Sequence, residues 1–405
     1  MWDGIIVGGG LAGLLTGIRA SERGKRVLII SEGVGSLSYS SGVLDFGEVE
    51  RLAKQEKHPY ALLGESALRA GVEYFQTHFP DYTGKWGETQ EVLTPLGSPR
   101  KASMVPKRFA ADVLWDAERI ILAVPEGLKD FYPEVSKGIL ERTYPLGSVE
   151  LYPIRAERFK PWYEGGKPIM GVDYARYWRT DSGIAELKEL LKRLTSQVMN
   201  ADQGGQRLKT VVVFPGLVTE FSGALDNVLD EISFPLVEVT AFPPSASGQV
   251  FYEVLKRAFK ALGGELLVGA GVKSVGTQGR LCHNVIVSSK GRDSCFSARS
   301  FVLATGGIFG GGIKVTPSIQ QETVFGLPLF VPSDWTQPEF LGEQPYAQMG
   351  VEVDCTLRPV NPQSQDVIFE NLHVVGRMLA HYDPWTEHCG GGVSLASGWF
   401  VGDTI

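Results

Sequence analysis

"DGIIVGGGLAGLLTGIRASERGKRVLIISE", residues 3–32, decides the fold. Residues 3–7 are predicted as a short buried strand and residues 26–30 as a second one. Between them, apolar Leu11, Leu14, Leu15 and Ile18 recur at helical spacing and predict a helix over 11–23. The pattern is a βαβ unit with its glycines in the first turn. Gly8, Gly10 and Gly13 form G-x-G-x-x-G at the place where a strand hands over to a helix. In that context the first glycine permits the tight turn, the second leaves room for a pyrophosphate, and the third lets helix and strand pack closely. The helix N-terminus adds N–H donors and a partial positive charge, with Leu11 and Ala12 in its first turn. Glu32 follows the second strand, where a carboxylate can accept hydrogen bonds from ribose hydroxyls.

The surrounding chain points from a generic dinucleotide towards a flavin. Instead of continuing into further βαβ units, it enters "GVGSLSYSSGVLDF", whose Ser40, Ser41 and Gly42 can offer hydroxyl and backbone hydrogen bonds to a ring system or ribityl chain. "FVLATGG" (301–307) ends a buried strand at Ala304, Thr305 and Gly306. "NLHVVGR" (371–377) ends another at Gly376. Ligands of doubly wound sheets gather at the carboxyl ends of strands, so these segments, with Val272, are expected to line one cofactor.

Composition sets the outer limits. The 405 residues carry a formal charge of −7 without an acidic or basic block, so there is no electrostatic footprint for nucleic acid or an anionic membrane surface. Glycine is the unusual count: 49 residues, about 12% against a typical ~7%, and clustered rather than repeated. Cys282, Cys295, Cys355 and Cys389 lack C-x-x-C spacing, which argues against an all-cysteine iron-sulfur or zinc site and for a reduced, cytoplasmic compartment. No metal site is expected. A strand beginning at residue 3 leaves no room for a signal peptide, and no apolar run approaches a membrane span.

The predicted fold class is α/β, a Rossmann-like FAD/NAD(P)-binding domain of the glutathione-reductase and fumarate-reductase type with an inserted α/β domain. Expected boundaries are 1–60 for the first part of the flavin-binding domain, 61–240 for the insertion, 241–312 for the second part, 313–365 for an insert or cap, and 366–405 for the C-terminal part. The insertion has strand candidates at "RIILAV" (119–124) and "TVVVFPG" (210–216). Ser247 is expected to cap a helix running to Leu262, followed by a strand at 265–268 and an antiparallel meander through "HNVIVSS" and "ARSFVLATGG".

The combination of "GGGLAGLL" (8–15), "SSGVLDF" (40–46), "HPYALLG" (58–64), "TPLGSPR" (94–100) and "HCGGGVSLASG" (388–398) resembles the B-subunit family of anaerobic glycerol-3-phosphate dehydrogenase from one end of the chain to the other. The resemblance implies a flavoprotein subunit of a respiratory enzyme that oxidises sn-glycerol 3-phosphate to dihydroxyacetone phosphate and passes electrons towards iron-sulfur centres and quinone. It also implies two partners, a catalytic FAD subunit and an iron-sulfur subunit linking the complex to the membrane, which would hold this chain at the inner face of the cell membrane; glycerol 3-phosphate binding on the catalytic partner, with this chain only relaying electrons, is the alternative to substrate binding here. Members of that family are described as carrying FMN, whereas Glu32 and a complete pyrophosphate turn suit the ADP half of FAD; FAD is expected, with FMN the alternative. A self-sufficient dehydrogenase of fumarate-reductase type and a non-redox scaffold subunit are the competing functions.

Catalytic residues stay unassigned. His58, His381 and His388 are the bases to inspect, and Arg100, Lys101 and Arg377 the anion contacts, because alcohol oxidation needs a base and a phosphorylated substrate needs cations. Near the C-terminus, Gly390, Gly391 and Gly392 are expected to form a strand-to-helix turn before a short helix over 393–400. Gly391, Gly392 and Val393 would there face the pyrimidine edge of the flavin. Cys389 is expected to be a small buried residue.

Overall fold

In the computed structural model the opening residues fold as β1 (Trp2–Val7), α1 (Leu11–Glu22) and β2 (Val27–Ser31). The structure describes residues 1–201, 208–219 and 223–405. Further along the chain come α2 (Pro59–His78), β3 (Arg119–Pro125), β4 (Ser148–Ile154), α3 (Asp181–Ala201), β5 (Thr210–Pro215), β6 (Leu236–Val239), α4 (Ala246–Ala261), β7 (Glu265–Val268), β8 (Ala270–Gln278), β9 (Leu281–Ser289), β10 (Arg292–Leu303), β11 (Leu372–Val374) and α5 (Gly390–Thr404).

The chain divides into two units. The first comprises Met1–Leu37, Leu44–Phe79 and Tyr252–Ile405; the second comprises Ser38–Val43 and Pro80–Phe251. The break near residue 80 lies later than the expected 61, because α2 packs within the first unit. A Cβ on its Gly71 would come within 3.0 Å of the Ala396 backbone in α5, so only glycine lets these two helices approach so closely.

In the first unit the sheet order is β7-β2-β1-β10-β9-β8, with β11 paired to β10. β1 pairs in parallel with both β2 and β10, and β7 and β11 extend the parallel set. A central parallel strand is covered on both faces and reads as a continuous apolar run; Ile5 and Ile6 are fully buried. β8, β9 and the first half of β10 form the antiparallel meander expected from the alternating segments.

The second unit holds four parallel strands in the order β6-β5-β3-β4. Alternate residues supply its two faces. Ile121, Ala123, Val212 and Phe214 join Leu187, Leu191 and Leu194 of α3 in one core. Ile120, Leu122, Val211 and Val213 join Leu140 and Tyr144 in the other. A sheet buried on both faces by helices is the doubly wound arrangement.

Two local expectations need correction. The helix assigned to Ser247 begins at Ala246, and its first-turn N–H of Gly248 donates to Ser245 Oγ at 3.2 Å; the cap lies two residues earlier than expected. Gly390–Gly392 are not a turn preceding a helix over 393–400 but the first turn of α5 itself, which continues to Thr404. Helix propensity disfavours glycine at such positions, and the reason for three of them lies in what surrounds that turn.

Candidate functional site

Strand register brings Gly8, Glu32, Ala304 and Gly376 to one edge. Val7 lies opposite Ile30 of β2 and Leu303 of β10, and Leu303 lies opposite Val374 of β11. The strands therefore end level. Gly8 N–H donates to Ile30 O at 2.8 Å, Ala304 N–H to Val7 O at 2.8 Å, and Val375 N–H to Leu303 O at 3.0 Å. Gly8 has φ +119°, and a Cβ there would stand 2.1 Å from Ala304 O. A Cβ at Gly13 would stand 2.1 Å from Gly8 O. Both glycines are thus dictated by the protein's own backbone.

Gly10 differs. A Cβ there meets nothing within 4 Å, so its lack of a side chain keeps open a space that the chain does not fill. α1 opens on that space without a side-chain cap and without an acidic residue in its first turn, leaving its N–H groups and positive end for an anion. Beside the turn, Thr305 Oγ1 is buried with no hydrogen-bond partner, and buried hydroxyls are ordinarily paired. Glu32 is exposed. Its carboxylate lies against β8, where a Cβ on Gly271 would sit 2.6 Å from Oε1; Val272 is the next residue. Open space at Gly10, an uncapped helix end, an unpaired hydroxyl and a cradled carboxylate fit a dinucleotide.

α5 runs parallel to α1. Cβ atoms on Gly398 and Gly402 would stand 2.8 Å from Ala12 O and Thr16 O, respectively, and Asp403 pairs with Arg19 and Arg23. Gly398 is the ninth residue of α5 and Ala12 the second of α1, so α5 starts seven residues earlier, roughly 10 Å beyond the start of α1 at 1.5 Å per residue. Ser397 Oγ accepts from Gly376 N–H at 3.0 Å and ties α5 to the end of β11. The glycines of its first turn have a packing cause. A Cβ on Gly391 would come within 3.0 Å of the Asp45 backbone, and one on Gly392 within 2.0 Å of the Tyr60 hydroxyl. Gly392 N–H donates to Asp45 O at 3.1 Å, so that donor is already occupied; Val393 is fully buried. Ser40, Ser41 and Gly42 belong to the second unit. There Gly42 O accepts from the Tyr82 hydroxyl and Ser41 O from Ser247 Oγ, each at 2.8 Å.

The candidate bases are placed by the start of α2. His58 is its N-cap, and Nδ1 accepts from Tyr60 N–H at 3.0 Å. The ring proton of the neutral side chain must therefore sit on Nε2, which lies 3.4 Å from Glu387 Oε2 and 3.9 Å from Cys389 Sγ. His58, Glu387 and Cys389 present ligand-type atoms within 4.8 Å of one another, yet this tautomer leaves no Nε2 lone pair for a metal. Burial, and then the neighbouring Glu387, push the Cys389 thiol well above its ordinary pKa, so it is a protonated donor to Glu387 Oε2 at 3.6 Å. Burial works against charge on Glu387, but hydrogen bonds from His58 and the Asp383 N–H outweigh it and hold the carboxyl below its ordinary range.

The other candidates have settings of their own. His381 Nε2 bonds Glu352 at 2.5 Å, alongside Lys57 at 3.0 Å, while His388 is exposed. Arg377, expected as an anion contact, donates instead to Ala347 O and Met349 O and lies over the rings of Tyr382 and Trp385. Arg100 and Lys101 lie on the second unit's strand Pro99–Ala102, where Arg100 donates to Lys101 O at 3.1 Å. Glu387 lies just outside the quoted stretch 388–398 and Tyr60 within 58–64, yet neither is a candidate by sequence, because only the fold closes the 329 residues between Tyr60 and Cys389. The Tyr60 hydroxyl bridges Phe46 O at 2.9 Å and Cys389 O at 3.3 Å. Tyr60→Phe should lower stability by about 1–2 kcal/mol through loss of that bridge, read as a shift of the urea midpoint.

Comparison with known proteins identifies the family. The family described as FAD binding domain matches residues 3–310 and 225–393. The chain is 28% identical to the anaerobic glycerol-3-phosphate dehydrogenase B-subunit of Yersinia enterocolitica, covering 100% of this chain and 98% of that protein. It is also 28% identical to the Vibrio cholerae protein of the same name, covering 100% and 96%. Among solved structures, the 3-ketosteroid-Δ4-(5α)-dehydrogenase of Rhodococcus jostii RHA1 is 10% identical, with a TM-score of 0.36 over 99% of this chain and 95% of that one. No helix among the described residues is long and apolar enough to cross a membrane. With a family match spanning most of its length and a glycine turn shaped for a dinucleotide, the chain belongs to the FAD binding domain family, and FAD is the cofactor it binds.

Proposed function

We propose that this chain is the FAD-binding subunit of an anaerobic glycerol-3-phosphate dehydrogenase complex, which oxidises sn-glycerol 3-phosphate to dihydroxyacetone phosphate and relays electrons towards iron-sulfur centres and quinone. The observation that carries this reading is the end-to-end likeness to relatives of that name, 98% and 96% of whose lengths are covered. Its partners would be a second catalytic, FAD-containing subunit and an iron-sulfur subunit that holds the complex at the inner face of the cell membrane. FAD, when bound, supplies two-electron acceptance. The N–H groups of Leu11, Ala12 and Gly13 would hold its pyrophosphate across Gly8 and Gly10, Glu32 its ribose, and Ala304, Thr305, Gly306 and Gly376 the carboxyl edge. Gly391 would stand at the far end and Val272 would be a further contact, whereas Gly392 and Val393 are buried within the protein and lie outside the cofactor's reach.

The test is the purified chain. Denaturation should release a cofactor with the mass of FAD, and anaerobic sn-glycerol 3-phosphate should bleach its visible absorbance. A colourless chain would favour a scaffold role. Because Glu32 is exposed, Glu32→Arg should leave the fold intact yet weaken flavin binding at least ~10-fold by removing charge-assisted hydrogen bonds to the ribose, measured by fluorescence titration of the apoprotein.

A further inference from the structure

We propose that Glu387, rather than His58 or His381, accepts the hydroxyl proton during alcohol oxidation; this rests on the function proposed above. Its carboxylate is oriented through one oxygen only. Oε2 receives Asp383 N–H at 2.9 Å, faces His58 Nε2–H at 3.4 Å, and accepts from Cys389 Sγ at 3.6 Å. Oε1 has no hydrogen-bond partner among the described residues, and the side chain is 15% exposed. One oxygen is fixed and the other is presented outward.

His58 and His381 lack this property. Both nitrogens of His58 are committed, Nδ1 to the α2 cap and Nε2 towards Glu387. His381 is held by Glu352. The other titratable and charged groups around Glu387 include Tyr60 of α2 and, from the segment after β11, Tyr382, Asp383, whose carboxylate accepts from Trp385 and Thr386 N–H, and, beyond Tyr382, Arg377. Glu387 lies three residues before α5, whose start projects roughly 10 Å beyond the pyrophosphate turn at 1.5 Å per residue. An extended dinucleotide anchored at α1 would place its reacting half towards that end.

In the reaction the O–H bond of a secondary alcohol breaks and its proton passes to Glu387 Oε1. The adjacent C–H bond breaks and its hydrogen leaves with both electrons to the flavin oxidant, and C–O becomes C=O.

The test uses the FAD-loaded full chain in two variants. Glu387→Gln keeps an acceptor for Asp383 N–H, and His58→Asn keeps an N-cap for α2. Stopped-flow reduction by sn-glycerol 3-phosphate across pH should fall ~10²–10⁴-fold in Glu387→Gln and lose its acid limb. In His58→Asn the limb should move to higher pH, because the carboxylate loses a donor that favours its charged form. Without substrate, the flavin midpoint potential of Glu387→Gln should rise, since a negative charge near the ring opposes electron uptake. Reduction at the wild-type rate with an unchanged pH profile would overturn the assignment while leaving the proposed function standing. A wild-type flavin that ignores glycerol 3-phosphate, with the potential still raised in Glu387→Gln, would remove the substrate but keep Glu387 beside the ring. An unchanged potential together with no reduction of wild type would remove both.

Discussion

Valine at Gly10 should yield a chain that folds as before but purifies without flavin, whereas alanine at Gly13 should damage the fold itself. Gly10 has φ −79° and ψ −174°, a conformation any residue adopts, and a Cβ there meets no protein atom within 4 Å. The stability cost of Gly10→Val is confined to a poorer N-cap, about 1 kcal/mol or less. The added methyl groups enter the gap before α1, where a pyrophosphate needs close backbone approach, and flavin affinity should drop by a factor on the order of 100 or more. Gly13→Ala puts a Cβ 2.1 Å from Gly8 O and 3.1 Å from Ala304 Cβ. Helix and strand must separate, at a cost on the order of 3 kcal/mol. Urea midpoints of the apoproteins and flavin-to-protein absorbance ratios separate the two effects. Equal flavin loss and equal destabilisation in both variants would show that Gly10 serves packing rather than the cofactor.

That contrast also marks how far the sequence could be read. The βαβ unit was legible because central parallel strands leave short continuous apolar runs while α1 carries apolar residues at helical spacing, and because G-x-G-x-x-G has a steric logic at each glycine. The meander was legible by its alternation. What could not be read were features set by distant chain segments. Local sequence points Gly391 and Gly392 at a flavin ring, yet the Asp45 backbone and the Tyr60 hydroxyl already exclude a side chain there. The same long-range closure makes His58 a helix cap and turns its second nitrogen towards Glu387. Local sequence shows that His58 precedes a proline; it cannot show which nitrogen remains.

Replacing Glu238 by glutamine should raise stability at pH 8 by up to about 3 kcal/mol and leave it nearly unchanged at pH 4.5. Glu238 of β6 is fully buried. Oε2 accepts from Val218 N–H, Thr219 N–H and Thr219 Oγ1 at 3.2, 3.1 and 3.0 Å, while Oε1 has no partner. Burial outweighs these bonds and raises the carboxyl from 4.5 to about 7. Below pH 4.5 both folded and unfolded chains hold this proton. As pH rises towards 7 the unfolded chain releases it first, so the protonated group's contribution is lost at about 1.4 kcal/mol per pH unit. Glutamine has no proton to lose and keeps an acceptor for the Val218 and Thr219 donors. His373 of β11 shifts the opposite way: burial, and then Arg358, lower it from 6.5 to about 4. Its contribution is present above pH 6.5 and lost as pH falls towards 4, because the unfolded chain protonates first. The wild-type chain therefore carries an acid penalty from His373 and an alkaline penalty from Glu238, and Glu238→Gln should remove only the second. Urea midpoints of both chains at half-unit pH steps, at matched slopes, decide it: a difference that fails to grow between pH 4.5 and 7 would mean that the buried carboxyl does not carry its proton to neutrality.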